Sequence, residues 1–198
     1  MLNPNICQPT GLRHYYFAPT KAGREFCQYC GYCKPYTKYD VKYLPVPNQV
    51  TAIIDPVQTP PELTATAFVF PIMRDRSLVM ARNTRRGLEI AGGHVEAGET
   101  LEQAARREAL EEGLCKVPVL LTLGHLQMTT GGPKPEGYKY PYPVSYQQFF
   151  TGIVEGFADY VGNDECFEPE LIAPGDLPEV LDPGMMDFYN EAVRLLGL

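Results

Sequence analysis

The stretch GGHVEAGETLEQAARREALEEGL, residues 92–114, restricts what this chain can fold into more than any other segment. Thr100 with Gln103 three residues later is a capping box that opens a helix, and Gly113 is a natural stop. At about 100° per residue, Leu101, Ala104, Ala105 and Ala109 share the face that must turn inward. Glu108 and Glu112 fall on the line of Leu101, with Glu111 one step aside. Three anions at i, i+3 and i+4 repel by roughly 0.2–0.5 kcal/mol per pair. They also sit toward the helix C-terminus, where the dipole disfavours negative charge. A solvated acidic face countered by Arg106 and Arg107 would not share the apolar stripe. Carboxylates clustered at the edge of a core suit a hard divalent cation, Mg2+ or Mn2+. The glycines beside them let backbone carbonyls and a polyphosphate approach closely.

Around this helix the pattern is regular from residue 62 onward. LTATAFVFPIM (63–73) and SLVMARN (77–83) read as strands joined by a charged turn, and GLEIAGG (87–93) as a short strand entering the glycine turn. VPVLLTLGHLQM (117–128) and SYQQFFTGIVE (145–155) are further strands, the latter followed by an irregular acidic stretch. A helix near 184–196 ends the chain. Strands before and after a helix, with a second helix at the end, predict an α/β fold in which helices cover a mixed sheet. Residues 1–47 are rich in Tyr and Cys, a short apolar run VTAIID (50–55) follows, and the breaker PVQTPPE (56–62) reads as a linker, so 1–61 is expected to be a separate extension and 62–198 the main domain.

Charge narrows the partners. The net charge is −7 with no basic run, which argues against a nucleic-acid polymer held by its phosphates. A small phosphorylated ligand remains compatible, because a divalent metal neutralises phosphate locally. No stretch reaches the roughly 18 apolar residues of a membrane span, and the first residues have neither a basic leader nor an apolar core, so a cytoplasmic location is expected. A homodimer is compatible with the sequence but not specified by it.

Gly93, five residues, Glu99, seven residues, then Arg107-Glu108-Ala109-Leu110-Glu111-Glu112 resembles the Nudix box, G-x5-E-x7-R-E-U-x-E-E-x-G-U, with unbroken spacing. One position departs: the closing glycine would fall at 114, where this chain has Leu114 after Gly113. The resemblance covers about 62–198. It implies a Nudix-like sheet between helices, with Glu108, Glu111 and Glu112 binding Mg2+ or Mn2+ near the Gly92 carbonyl. It also implies an ion pair between Glu99 and Arg107. The implied reaction is hydrolysis of a nucleoside diphosphate linked to another group, with water attacking one phosphorus and a carboxylate as base. The family often adds a carboxylate from a later loop, for which Glu165 is the first candidate and Glu168 the second. A Nudix-fold module that binds a nucleotide without cleaving it is the alternative; such modules commonly lose box glutamates, and this chain keeps them.

The segment 129–144 is long for a connection in a compact domain and reads as a binding loop. Tyr138, Tyr140 and Tyr142 alternate with prolines there and offer faces for a base or nicotinamide to stack on. In an extended backbone Tyr140 and Tyr142 face one way. YPYPVS (140–145) loosely resembles the W-P-F-P-x-S core found in Nudix NADH pyrophosphatases. Those enzymes sometimes carry an N-terminal zinc ribbon, and FCQYCGYCK offers Cys27, Cys30 and Cys33 at CxxCxxC spacing, with Cys7 as a fourth ligand for a structural Zn2+ or His14 in its place. The expected substrate is a small nucleotide, NAD(H) or ADP-ribose-like ahead of nucleoside triphosphates. His94 reads as shaping the loop, His125 as a satisfied core histidine, and Cys115 and Cys166 as packed thiols.

Overall fold

Nine residues of nearly unbroken apolar and β-branched character, TATAFVFPI, form the strand Thr64–Ile72 near the centre of the sheet. A strand this apolar has to be covered on both faces. The computed structural model describes residues 36–159 and 166–198, without the side chains of Cys166 and Phe167. The chain divides into two compact units, Met1–Tyr36 and Thr37–Leu198. Apart from Tyr36, every described residue belongs to the second.

In chain order its strands are β1 (Thr37–Tyr39), β2 (Asn48–Ile54), β3 (Thr64–Ile72), β4 (Leu78–Asn83), β5 (Gly87–Glu89) and β6 (Gly92–His94), then β7 (Cys115–Lys116), β8 (Leu121–Thr130), β9 (Val144–Ile153), β10 (Gly156–Phe157) and β11 (Cys166–Ile172). The helices are α1 (Leu101–Glu111), α2 (Leu177–Val180) and α3 (Pro183–Leu195). The main sheet runs β1-β2-β8-β9-β3-β4-β11, with β5 added to β4 and β6 to β3. β3 and β9 are parallel, whereas the other pairs are antiparallel. β7 and β10 pair separately.

Successive strand residues point to opposite faces. Ala67, Val69 and Phe150 form one core with Leu101, Ala104, Ala105 and Ala109 of α1. Their neighbours Phe70 and Phe149 meet Phe188 of α3, whose ring stacks on Phe149 at 4.7 Å between centroids. Thus α1 and α3 lie on opposite faces, and the fold is a mixed sheet between helices. Asp182 caps α3 by accepting from the Gly184 and Met185 amides, with Pro183 at the first helical position.

Several elements differ from the sequence expectation. β2 pairs along its whole length with β8, so residues 37–54, expected within the N-terminal extension, belong to the main sheet. The run 87–93 is two strands on different partners, because Ile90 and Ala91 turn into the core between β5 and β6. The strand expected from 117 begins at Leu121, since 117–120 leave the sheet, Val117 entering the α1 core. The stretch after 155, expected to be irregular, contains β11, which closes the edge on β4.

Residues 55–63 are anchored by a buried amide. Gln148 Oε1 accepts from Thr59 N at 2.8 Å and Thr59 Oγ1 at 3.0 Å, while Nε2 donates to Gly124 O at 2.7 Å. Gln148→Leu strips these partners in a site that water does not reach. A loss of about 2–4 kcal/mol is expected in chemical denaturation, since each stranded buried group costs roughly 1–3 kcal/mol. Wild-type stability in that variant would show that the strap is held by other contacts.

Candidate active site

Helix α1 forms where the capping box places it. Thr100 Oγ1 accepts from Gln103 N and Gln103 Oε1 accepts from Thr100 N, satisfying two amides that the first turn leaves free. Its buried stripe is Leu101, Ala104, Ala105, Glu108 and Ala109, so one carboxylate lies within the apolar face. Glu108 is 8% exposed. Glu112, the C-cap, is half-buried, and Glu111 faces solvent.

The glycines explain how a carboxylate fits there. A Cβ on Gly93 would lie 2.8 Å from Glu108 Cδ and closer still to Oε1; only glycine leaves that space. The Gly92 amide donates to Glu112 Oε2 at 3.0 Å, drawing the end of α1 onto β6. Arg107 is the hub of the site. Its Nε and Nη2 donate to the two oxygens of Glu99 at 2.9 and 3.1 Å. Nη2 also reaches the His94 carbonyl, and Nη1 reaches Glu108 at 2.7 Å and Glu111 at 3.1 Å. The clasp to Glu99 is the ion pair that the Nudix resemblance implies, whereas the bridge to Glu108 and Glu111 had no counterpart in the sequence reading.

The electrostatics follow this geometry. The hydrogen bonds from Arg107, aided by the Glu96 amide, hold the Glu99 carboxyl below the usual glutamate range. Glu99 in turn raises Arg107 above the ordinary guanidinium value, with Glu108 and Glu111 adding to the effect. Glu112 goes the other way. Burial pushes its carboxyl up, the Gly92 amide opposes this, and the charges of Glu108 and Glu89 push it up further. Glu89 of β5 is thus a further acid facing the site, paired with Arg86. The sequence reading missed it, because a lone glutamate in a short strand carries no periodic signal.

As these side chains stand, no three His, Cys, Asp or Glu groups among the described residues converge on one point, and Arg107 occupies the space between Glu108 and Glu111. The donors nonetheless suit a hard divalent cation: they are carboxylates, with Glu108 nearly buried and Glu112 half-buried beside it.

The helix ends differently from expectation. The left-handed residue is Leu114, at φ +51°, and Gly113 does not take that role. A left-handed leucine costs about 1–2 kcal/mol that glycine avoids. Leu114→Gly should therefore raise stability by up to about 1 kcal/mol, read from a denaturation midpoint. A lower midpoint would mean that the half-buried side chain contributes more than the backbone strain costs.

The expected binding loop is the hairpin connection between β8 and β9. Tyr140 stacks on His94 at 5.6 Å between centroids, and its hydroxyl lies 3.1 Å from His94 Nε2. This places the loop beside the glycine turn. Tyr138 meets both Tyr140 and Tyr142 edge-on. Tyr142 has different partners from Tyr140, donating its hydroxyl to the Gly131 and Gly132 carbonyls, so the two do not share one role. Tyr142 closes the loop on itself and Tyr140 meets the box.

Other candidates fall elsewhere. Glu165, Cys7, Cys27, Cys30, Cys33 and His14 lie outside the described residues. Glu168 is exposed on β11, at a register shift opposite β4. His125 is not a satisfied core histidine: its Nδ1 is buried without a partner among the described residues, and burial lowers its pKa. Cys115 is a packed thiol donating to the Gly113 carbonyl, pushed up to about 12 by burial and so unreactive.

The NUDIX domain family model matches residues 62–191, about two thirds of the chain. The chain belongs to the Nudix family. Among relatives of this Nudix protein, the NAD-capped RNA hydrolase NudC of Escherichia coli O157:H7 is 32% identical over 123 residues, covering 61% of this chain and 43% of that protein. NudC of Edwardsiella ictaluri is 33% identical over 115 residues, covering 57% and 38%. The matches span less than half the length of these curated relatives. Among solved structures, a mutant of the Bacillus subtilis pyrophosphohydrolase BsRppH superposes with a TM-score of 0.59 at 20% identity, covering 80% of this chain and 96% of that one. A Listeria monocytogenes NUDIX hydrolase gives 0.52 at 17%, covering 66% and 93%. These two share the fold. Among the described residues no helix is long and apolar enough to cross a membrane.

Proposed function

We propose that this Nudix protein is a divalent-metal-dependent pyrophosphohydrolase that cleaves the diphosphate linkage of a small nucleotide, with NAD(H) or ADP-ribose-like dinucleotides ahead of nucleoside triphosphates. The observation that carries it is the buried Glu108 carboxylate beneath Gly93, with Glu112 drawn onto the Gly92 amide beside it. A carboxylate inserted in an apolar stripe, with a glycine leaving it room, serves no packing purpose. Bound there, Mg2+ or Mn2+ would neutralise the diphosphate and activate water. Glu108, Glu111 and Glu112 would hold it. Glu99 clasps Arg107 and so fixes the box loop through the His94 carbonyl. Glu165 is proposed as the base, with Glu168 behind it. The preference for a dinucleotide draws on the YPYPVS segment and on relatives named for NAD-capped RNA. The alternative, a module that binds without cleaving, is disfavoured because every box carboxylate is present.

A panel of NAD, NADH, ADP-ribose, nucleoside triphosphates and an NAD-capped oligonucleotide, incubated with and without metal, tests this by product analysis. Mononucleotide products from a dinucleotide are expected only with metal. Products from triphosphates alone would overturn the substrate preference. Within the same panel, Tyr140→Ala should raise KM for the preferred dinucleotide about ten- to a hundredfold, the loss of one stacking contact. Activity on poor substrates should hardly change. An unchanged ranking of substrates would make the loop purely structural.

A further inference from the structure

The strand register lays an unused polar edge across the sheet beside the glycine turn. Ala52 pairs with Leu126, Leu126 with Gln147, Gln147 with Thr66, and Thr66 with His94, a continuous row over β2, β8, β9, β3 and β6. Cross-strand partners share a face. Gln147 is two residues from Phe149, so this is the α3 face. The next row runs Gly124, Phe149, Phe68 and Gly92, with Phe68 stacked on Phe149 at 5.0 Å. One row is aromatic and ends at the glycine beside Glu112. The other is polar in its middle.

Those polar groups are unspent. The Thr66 hydroxyl is buried with no hydrogen-bond partner among the described residues. Gln147 is half-buried, and its amide bonds to no described residue. The contrast with Gln148 is sharp, since that neighbour, on the other face, uses both ends of its amide. A buried hydroxyl left unpaired is expensive unless something else pairs it, and the half-buried Gln147 amide beside it is free to bond a ligand. Strands lie about 4.8 Å apart and residues two apart along a strand are separated by about 6.7 Å, so Gln147 sits on the order of 12 Å from Gly92. A ribose and a base extending from a phosphate held at the box span a similar distance.

We infer that Gln147, supported by Thr66, reads the hydrogen-bonding edge of the substrate's ring, against the Phe68 wall. This rests on the proposed nucleotide chemistry of the site. A side-chain amide offers one donor and one acceptor in a plane, and so matches a ring edge that presents one of each. Two parts of a dinucleotide carry such an edge, the carboxamide of nicotinamide and the amino edge of adenine. A paired contact of this kind gives roughly ten- to a hundredfold discrimination.

The test is calorimetric binding of NAD, its nicotinic acid analogue and its hypoxanthine analogue to the full chain carrying Glu112→Gln, so that turnover plays no part. NAD should bind more tightly than one of the two analogues, and which one is disfavoured identifies the ring that is read. Adding Gln147→Leu should weaken NAD about ten- to a hundredfold and erase that preference. Thr66→Val, nearly the same shape, should act in the same direction but by a smaller factor. Melting curves check that both variants fold. Unchanged affinity and ranking in Gln147→Leu would overturn the assignment even if wild-type protein hydrolyses NAD, and so would absence of any preference before that substitution. Conversely, a lost preference in a protein that hydrolyses none of these compounds would leave the reader in place and remove the hydrolase.

Discussion

Glu112→Gln should lower turnover by about three orders of magnitude while leaving the protein folded, equivalent to about 4 kcal/mol of transition-state stabilisation. The substitution keeps volume and keeps an oxygen to accept the Gly92 amide. It removes a charge that burial and Glu108 already disfavour, so the midpoint of unfolding should hold or rise. What it takes away is a ligand for the cation on which the proposed chemistry depends. The check is steady-state hydrolysis of the preferred substrate at saturating Mg2+, beside a thermal melt. Near-wild-type turnover would remove Glu112 from the machinery. A collapsed melt with lost activity would show that its role is structural.

Gly93→Ala should cost about a hundredfold in turnover. The new methyl group would lie 2.8 Å from Glu108 Cδ, inside any tolerable contact. Glu108 cannot simply swing away, being 8% exposed and held by Arg107 Nη1 at 2.7 Å. Its carboxylate must shift, and displacement of about 1 Å at a reacting centre can cost a hundredfold. Stability should change far less than turnover, because the group that moves is a side-chain terminus. Hydrolysis rates and a metal titration of the variant check this. Full activity would mean that Glu108 has a second, equally competent position.

How much of this was legible in the sequence depended on whether the cause was local. Helix α1, its capping box and the stripe that buries Glu108 follow from spacing alone, because helical geometry repeats every few residues. So do the strands around Phe70 and Phe150, whose apolar runs have no other place to go. β2 was obscured because its partners in β8 lie between 70 (Ile54 with Gly124) and 82 (Asn48 with Thr130) residues away, and only that pairing makes the run from Asn48 to Ile54 part of the sheet. β11 was obscured by charge: a strand at the sheet edge, on β4, tolerates Glu168 and Glu170. In the candidate site, Gly93, Glu99 and Arg107 belong to one local pattern, whereas the approach of Glu89 and the stacking of Tyr140 on His94 join segments with no sequence signal linking them. Leu114 shows a different limit, since a left-handed backbone can be imposed on a residue that does not favour it.

The proposed function places a divalent cation at the end of α1, between Glu108, Glu111 and Glu112. It is tested most directly by a crystal structure of the protein soaked with Mn2+, in which anomalous scattering locates the ion. The expected result is manganese coordinated by those carboxylates beside Gly92, with Arg107 released from Glu108 and Glu111 and still clasping Glu99. Manganese bound elsewhere, or Arg107 still bridging Glu108 and Glu111 at saturating Mn2+, would contradict it.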